Sequence, residues 1–231
     1  YGKSQGGRKP VLLDFNSHSL LTVGIDIEID EVSGVIIDLN GNILVEKSVS
    51  NKGNVTVENI LRLIKEIIDN LLGQRDYKDG ITGIGIGMHG IVDYANGISI
   101  FPPAFNWSDV PVVEIIQNEF KLPVILENNV RALTLGENWF GAARNLRDFI
   151  CMKVGAGIGS GIFTSGKLFR GTSNSAGEIG HTMVDEDGPL CTCGNYGCLE
   201  SMASVTAIIR RTKKILKQGA DTVINDIIEG D

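Results

Sequence analysis

Apolar and polar positions fall into two rhythms that alternate along the chain. Leu21–Ile27, Gly34–Leu39 and Ile43–Val49 read as three strands, and Asn40-Gly41 between the last two marks a tight hairpin. Val57, Ile60, Leu61, Ile64, Ile67, Ile68 and Leu71 then recur at helical spacing and form one apolar face. Ile81–Met88 returns as a buried strand, Val110–Phe120 reads as a helix, and Val124–Leu126 is a short strand. A second round follows. Val130–Phe140 is helical, Phe149–Val154 is a strand, and glycine-rich turns lead to Ile162-Phe163. From Glu200 onward the pattern is helical, with Ala203, Ile208, Ile209 and Ile215 on the apolar side and Arg210, Arg211, Lys213 and Lys214 outward. Strands followed by helices, twice, predict an α/β protein of two lobes, 18–126 and 127–231. The last residues, Ile224 to Asp231, supply no closing strand, so the second lobe is expected to be incomplete.

Composition narrows the class. The 231 residues are 42% hydrophobic and 21% charged, as in a soluble globular chain, and no apolar run approaches the roughly 18 residues of a membrane span. Lys and Arg total 21 against 28 Asp and Glu, a net charge of −7, which argues against broad nucleic-acid binding by the bulk of the chain. The first 20 residues differ: Lys3, Arg8 and Lys9 against Asp14 give +2, leaving −9 elsewhere. A short basic, glycine-containing run of this kind reads first as a solvated terminus.

Four cysteines are too few for a disulfide scaffold, and three crowd at Cys191, Cys193 and Cys198, ten positions and more after His181. One imidazole and three thiolates make a tetrahedral zinc set, and four protein ligands leave no open position, so the metal is expected to be structural. Cys151 sits in an expected strand and reads as core. This use of cysteine fits a reducing, cytoplasmic setting.

The segments Val154-Gly155-Ala156-Gly157-Ile158-Gly159-Ser160-Gly161, Gly166-Lys167-Leu168-Phe169-Arg170-Gly171, Ala176-Gly177-Glu178-Ile179-Gly180-His181 and Cys191-Thr192-Cys193-Gly194-Asn195-Tyr196-Gly197-Cys198-Leu199-Glu200 occur in that order. Together they closely resemble the ROK family of repressors and sugar kinases, in particular its xylose-type repressors. Gly85-Ile86-Gly87-Met88-His89-Gly90-Ile91-Val92-Asp93 and Glu127-Asn128-Asn129 through Leu135-Gly136-Glu137 match earlier family motifs. The resemblance implies a two-lobed actin-like ATPase (ribonuclease H-like) fold with a sugar between the lobes. It also implies that residues 1–17, with Arg8 and Lys9 before Pro10, are the wing and linker of an upstream winged helix-turn-helix that reads operator DNA.

Repressor and kinase make different demands on the cleft. Phosphoryl transfer needs a phosphate cradle and a base for the sugar hydroxyl. The kinases of this family place a glycine-rich turn where this chain has Glu28, Ile29, Asp30 and Glu31, and carboxylates there repel a triphosphate. They also carry an Asn-Asp pair where this chain has Asn128-Asn129, and an amide has no useful basicity. ATP is therefore not expected as a ligand, and the Gly155–Gly161 run is read as tight strand connections. By the family pattern Asn128, Asn129, Glu178, His181 and Glu200 face the sugar. Glu200 also suits the start of a helix. His89 stands where family kinases often carry proline and either touches sugar or caps a turn. Trp107, after a proline-rich turn, reads as packing. The expectation is the effector domain of a sugar-responsive repressor, a homodimer or higher homo-oligomer away from membranes. The alternative is an ATP-dependent sugar kinase of glucokinase or fructokinase type.

Overall fold

The computed structural model describes residues 16–105, 107–220 and 222–225; Arg8 and Lys9 lie outside them. The first lobe opens with β1 (Leu21–Ile27), β2 (Glu31–Asp38) and β3 (Ile43–Ser50), an antiparallel meander. α1 (Val57–Leu72) crosses to β4 (Ile81–Met88). A small hairpin of β5 (Ile91–Asp93) and β6 (Ile98–Phe101) precedes α2 (Val112–Phe120) and β7 (Val124–Asn128). The five-stranded sheet runs β3-β2-β1-β4-β7, with β1, β4 and β7 parallel.

The strands form where the expected rhythm lies. β1 alternates buried and half-buried residues, and α1 lays Ile60, Leu63, Ile64, Ile67, Ile68 and Leu71 on the sheet. Thr56 caps α1, its hydroxyl accepting from the Asn59 backbone N–H. Gly34 lets the helix approach, because a Cβ there would collide with Ile67 and Leu71.

The parallel register fixes the position of the site. Ile27 pairs with Met88, and Met88 pairs with Asn128, so β1, β4 and β7 end level. The next residues, Glu28, His89 and Asn129, therefore emerge side by side at the carboxyl edge of the sheet. Open α/β sheets offer a crevice for ligands at such an edge.

α3 (Asn129–Trp139) starts directly at the end of β7 and packs on both this sheet and the next. β7 thus runs across residues 126 and 127, the expected lobe division. The second sheet is antiparallel, in the order β10-β9-β8, from β8 (Phe149–Val154), β9 (Ile158–Thr164) and β10 (Lys167–Phe169). It repeats the β3-β2-β1 meander, and among the described residues the far edge of β8 is unpaired. The Gly155–Gly161 run is mostly strand: only Gly155, Ala156 and Gly157 turn, and Gly159 and Gly161 lie within β9. Gly161 is there for space, since a Cβ would drive into Thr134 of α3.

After the second sheet come α4 (Leu199–Ala203) and α5 (Val205–Lys217). The apolar side of α5 is uncovered among the described residues. Ala207 is the buried residue of α5, whereas Ile208, Ile209 and Ile215 are exposed among the described residues. Among the described residues no helix is long and apolar enough to cross a membrane.

Candidate functional site

A cavity partly open to solvent lies where the carboxyl edge of the first sheet meets the turn between β8 and β9. Glu28, His89, Asn128 and Asn129 line it from the first lobe side, and Lys153, Gly157, Glu178, His181 and Glu200 from the second. All six residues expected to face a sugar reach it. Each is held differently.

Asn128 is committed to the backbone. Its Oδ1 accepts from the N–H groups of Val130 (3.0 Å) and Arg131 (3.1 Å), capping α3, and its Nδ2 donates to Gly90 O at 2.9 Å. One amide hydrogen is left for a ligand. Asn129 has more freedom: its Nδ2 donates to Glu28 Oε1 at 3.2 Å, which turns its Oδ1 toward acceptor work. His89 sits edge-on to Phe105, with ring centroids 6.2 Å apart, and burial lowers its pKa, favouring the neutral ring. Trp107 is not on the cavity wall; it packs against Phe105 and donates its indole N–H to Ser99 Oγ at 3.1 Å.

Glu178 precedes the 3-10 turn Ile179–His181. Its carboxyl is raised above the ordinary value by burial, against the pull of His181 and Arg131. Glu200 does both things its position allowed. It opens α4, and its Oε2 reaches across to accept from the Ile158 N–H at 2.9 Å, tying α4 to the start of β9.

The first phosphate-loop expectation needs correction. Asp30 and Glu31 are exposed in the hairpin between β1 and β2 and take no part in the cavity wall. Only Glu28 of that group faces the cleft, because it alone follows the strand end directly. Glu28 is not a bare charge either, for Lys153 Nζ donates to its Oε1. Lys153 escaped the sequence reading, although a lysine sharing the parity of Phe149 and Cys151 along β8 was a signal.

A second feature also went unread. Arg131, in the first turn of α3, is 1% exposed and pairs through Nε with Glu127 Oε1 at 3.0 Å. Arg170 takes the other carboxylate oxygen at 2.7 Å and covers the Tyr94 ring at 4.2 Å. Arg131 Nη1 donates to Asn174 O at 2.9 Å, and its Nη2 has no partner. The network fastens the 170–178 loop, and so Glu178, to α3.

Beside the cavity, His181, Cys191, Cys193 and Cys198 bring one donor atom each to within 4.8 Å of one another, a group that could hold a metal ion. Cys193 and Cys198 sulfurs are 3.7 Å apart, and Cys191 Sγ is 3.6 Å from His181 Nδ1. The other ring nitrogen, Nε2, lies 3.9 Å from Glu178 Oε2, on the cavity side. Turns at Gly194 and Gly197 (φ +92° and +63°) bend the backbone, and a Cβ at Gly197 would strike Asp185 O. Burial and the adjoining sulfurs push the Cys198 thiol up to about 12. Packing sulfurs this closely is favoured once a cation compensates the thiolates.

A sequence model described as the ROK family matches residues 22–230. The xylose repressor of Caldicellulosiruptor bescii is 39% identical over 222 residues, 96% of this chain and 56% of that protein. The crystal structure of a ROK family glucokinase from Streptomyces griseus, in complex with glucose and AMPPNP, superposes with a TM-score of 0.79 at 34% identity, covering 86% of this chain and 62% of the other. A ROK family transcriptional regulator, a homologue of the E. coli MLC protein, gives a TM-score of 0.77 at 26% identity, covering 89% and 52%. This chain spans about half the length of the curated xylose repressors it matches. The two-lobed actin-like architecture expected from the motifs is the one observed, and the chain belongs to the ROK family.

Proposed function

We propose that this chain is the sugar-binding effector part of a ROK-type transcriptional repressor and does not phosphorylate its ligand. The observation that carries this reading is Asn129. By the family resemblance it takes the place of the kinases' carboxylate base, and its amide is held by Glu28. Amides and carboxylates that each offer directed hydrogen bonds suit vicinal hydroxyls, so Asn129, Glu178, His181, Glu200 and His89 would hold a monosaccharide, with Asn128 shaping α3 beneath it. The likeness to xylose repressors makes xylose the first sugar to test.

The metal of the His181, Cys191, Cys193 and Cys198 group is read as zinc. A tetrahedral ion with bonds of about 2.3 Å to sulfur sets sulfurs about 3.8 Å apart, close to the 3.7 Å between Cys193 and Cys198. Zinc would supply a structural charge and no chemistry on the sugar. His181 would give it Nδ1 and turn Nε2 to the cavity, beside Glu178. A sugar touching both sides of the cleft binds the closed arrangement better, and that difference shifts the population toward closure. In the full protein this would reposition paired DNA-binding domains upstream, with residues 1–17, Arg8 and Lys9 included, as wing and linker. The homodimer and the cytoplasmic setting belong to the same proposal, as does a division into two lobes, set at the end of β7 rather than between residues 126 and 127. So does completion of the second sheet along the free edge of β8, where Ile150, Met152 and Val154 expose an apolar face.

A sugar kinase is the second reading. The likeness to the Streptomyces griseus glucokinase favours it, as does a carboxylate, Glu28, beside Asn129. Titration of a monosaccharide panel into the wild-type chain and Glu178→Gln tests the first reading. One sugar should bind, and the variant should weaken it about tenfold or more, the range of a buried charged hydrogen bond. Binding of no sugar, or of the same sugar unaltered by the variant, would defeat it.

A further inference from the structure

Lys153 and Glu28 are 125 residues apart, on different sheets, and meet inside the cavity. Glu28 Oε1 accepts from Lys153 Nζ and from Asn129 Nδ2 together. The strand that delivers the lysine is unusual in its polarity. Ile150, Met152 and Val154 of β8 are 56–63% exposed, while Phe149, Cys151 and Lys153 share the half-buried side. A long cation turned inward needs a counter-charge, and Glu28 provides it. Among the described residues that line the cavity, Lys153 is the only lysine or arginine, against the carboxylates of Glu28, Glu178 and Glu200. The pair is not sealed off: its side chains keep 34% and 30% of their exposure. An ammonium with three donors, facing a cavity at the level where three parallel strands end, is an anion site by its chemistry. Its occupant is the protein's own carboxylate.

We propose that Lys153 is the cation of an anion subsite filled by Glu28, and that this pair sets the selectivity of the cavity. Uncharged polyhydroxy ligands are admitted, and ligands carrying phosphate at this end are refused. Glu28 acts twice. It occupies the ammonium, and it leaves the wall with one lysine against three glutamates. A phosphate must displace a carboxylate already held by Lys153 and Asn129, against two further carboxylates. The inference shares the cavity with the proposed sugar site but rests on the ion pair alone.

The test is a gain of binding. Inorganic pyrophosphate is titrated by calorimetry into the whole chain, its Glu28→Ala variant, and the double variant Glu28→Ala/Lys153→Met. Glu28→Ala should bind pyrophosphate at least tenfold more tightly than the wild type, and the double variant should return to the wild-type value. Three results overturn the proposal: no gain in Glu28→Ala, a gain that survives loss of Lys153, or wild-type binding already as tight. Should Glu28→Ala fail to fold, Glu28→Gln, of the same size, decides the matter in the same direction. Titrating the sugar panel into the same proteins separates the two ideas: absence of sugar binding counts against the effector reading and leaves the anion result standing.

Discussion

Asp26, within β1, and Glu28, just past its end, are two residues apart and interact, and Asp26 resists ionisation. Burial, with the Glu28 charge second, raises Asp26 from 3.8 to about 6, against the opposing pull of Lys153. Replacing Asp26 by Asn removes the titration and keeps the shape. In the wild type the folded state binds the proton more tightly than the unfolded chain between pH 4 and 6. Asp26 therefore contributes stability that is complete below pH 4 and is lost as pH rises through about 6. The difference, 6 − 3.8 = 2.2, corresponds to about 3 kcal/mol at 1.36 kcal/mol per unit. Relative to the wild type, Asp26→Asn should gain up to about 3 kcal/mol on going from pH 4 to pH 7, with most of the change between pH 4 and 6. Urea unfolding of both proteins at half-unit intervals measures it. A stability difference that is flat with pH, or that moves in the wild type's favour as pH rises, would refute the assignment of a protonated Asp26 beside Glu28.

Three further outcomes follow from the same geometry. Glu127→Gln strips the shared partner from Arg131, which is 1% exposed, and from Arg170, and should destabilise the chain by about 3–5 kcal/mol in urea unfolding; a loss under about 1 kcal/mol would mean the network is not held by charge. Gly161→Ala pushes a methyl group into Thr134 and should cost about 1–3 kcal/mol as α3 is displaced from β9; an unchanged melting temperature would contradict the close approach. Chelation of the metal should lower the melting temperature by at least about 4 °C, a loss of about 1–2 kcal/mol, and open the 182–198 segment to proteolysis; purified protein that holds no zinc, or that is indifferent to chelator, counts against the metal centre.

Much of this fold was legible in the chain. β1, β4 and β8 span the residues the alternation marked, and α1 follows its apolar spacing to within one residue. The convergence of His181, Cys191, Cys193 and Cys198 into a group that could hold a metal ion was legible because these residues lie close in sequence and are chemically distinctive. What stayed hidden has two physical origins. Gly159 and Gly161 look like turn residues, yet they are strand residues whose missing side chains admit a helix, a fact that depends on α3 lying across them. The Glu28–Lys153 pair and the Arg131–Glu127–Arg170 network join residues that only the level ends of β1, β4 and β7 and the placement of α3 bring together. The exposure of α5's isoleucines was equally hidden, because an amphipathic spacing shows which face is apolar and not whether anything covers it.

The proposed effector role requires a cavity that recognises sugar without transferring phosphate to it. Calorimetric titration of xylose and related monosaccharides, each with and without Mg-ATP and with ADP followed in the same samples, addresses this directly. An effector domain should show saturable binding of one sugar, an affinity unchanged by Mg-ATP, and no ADP above background. Sugar-dependent ADP release would contradict this and assign Glu28 the role that Asn129 cannot fill.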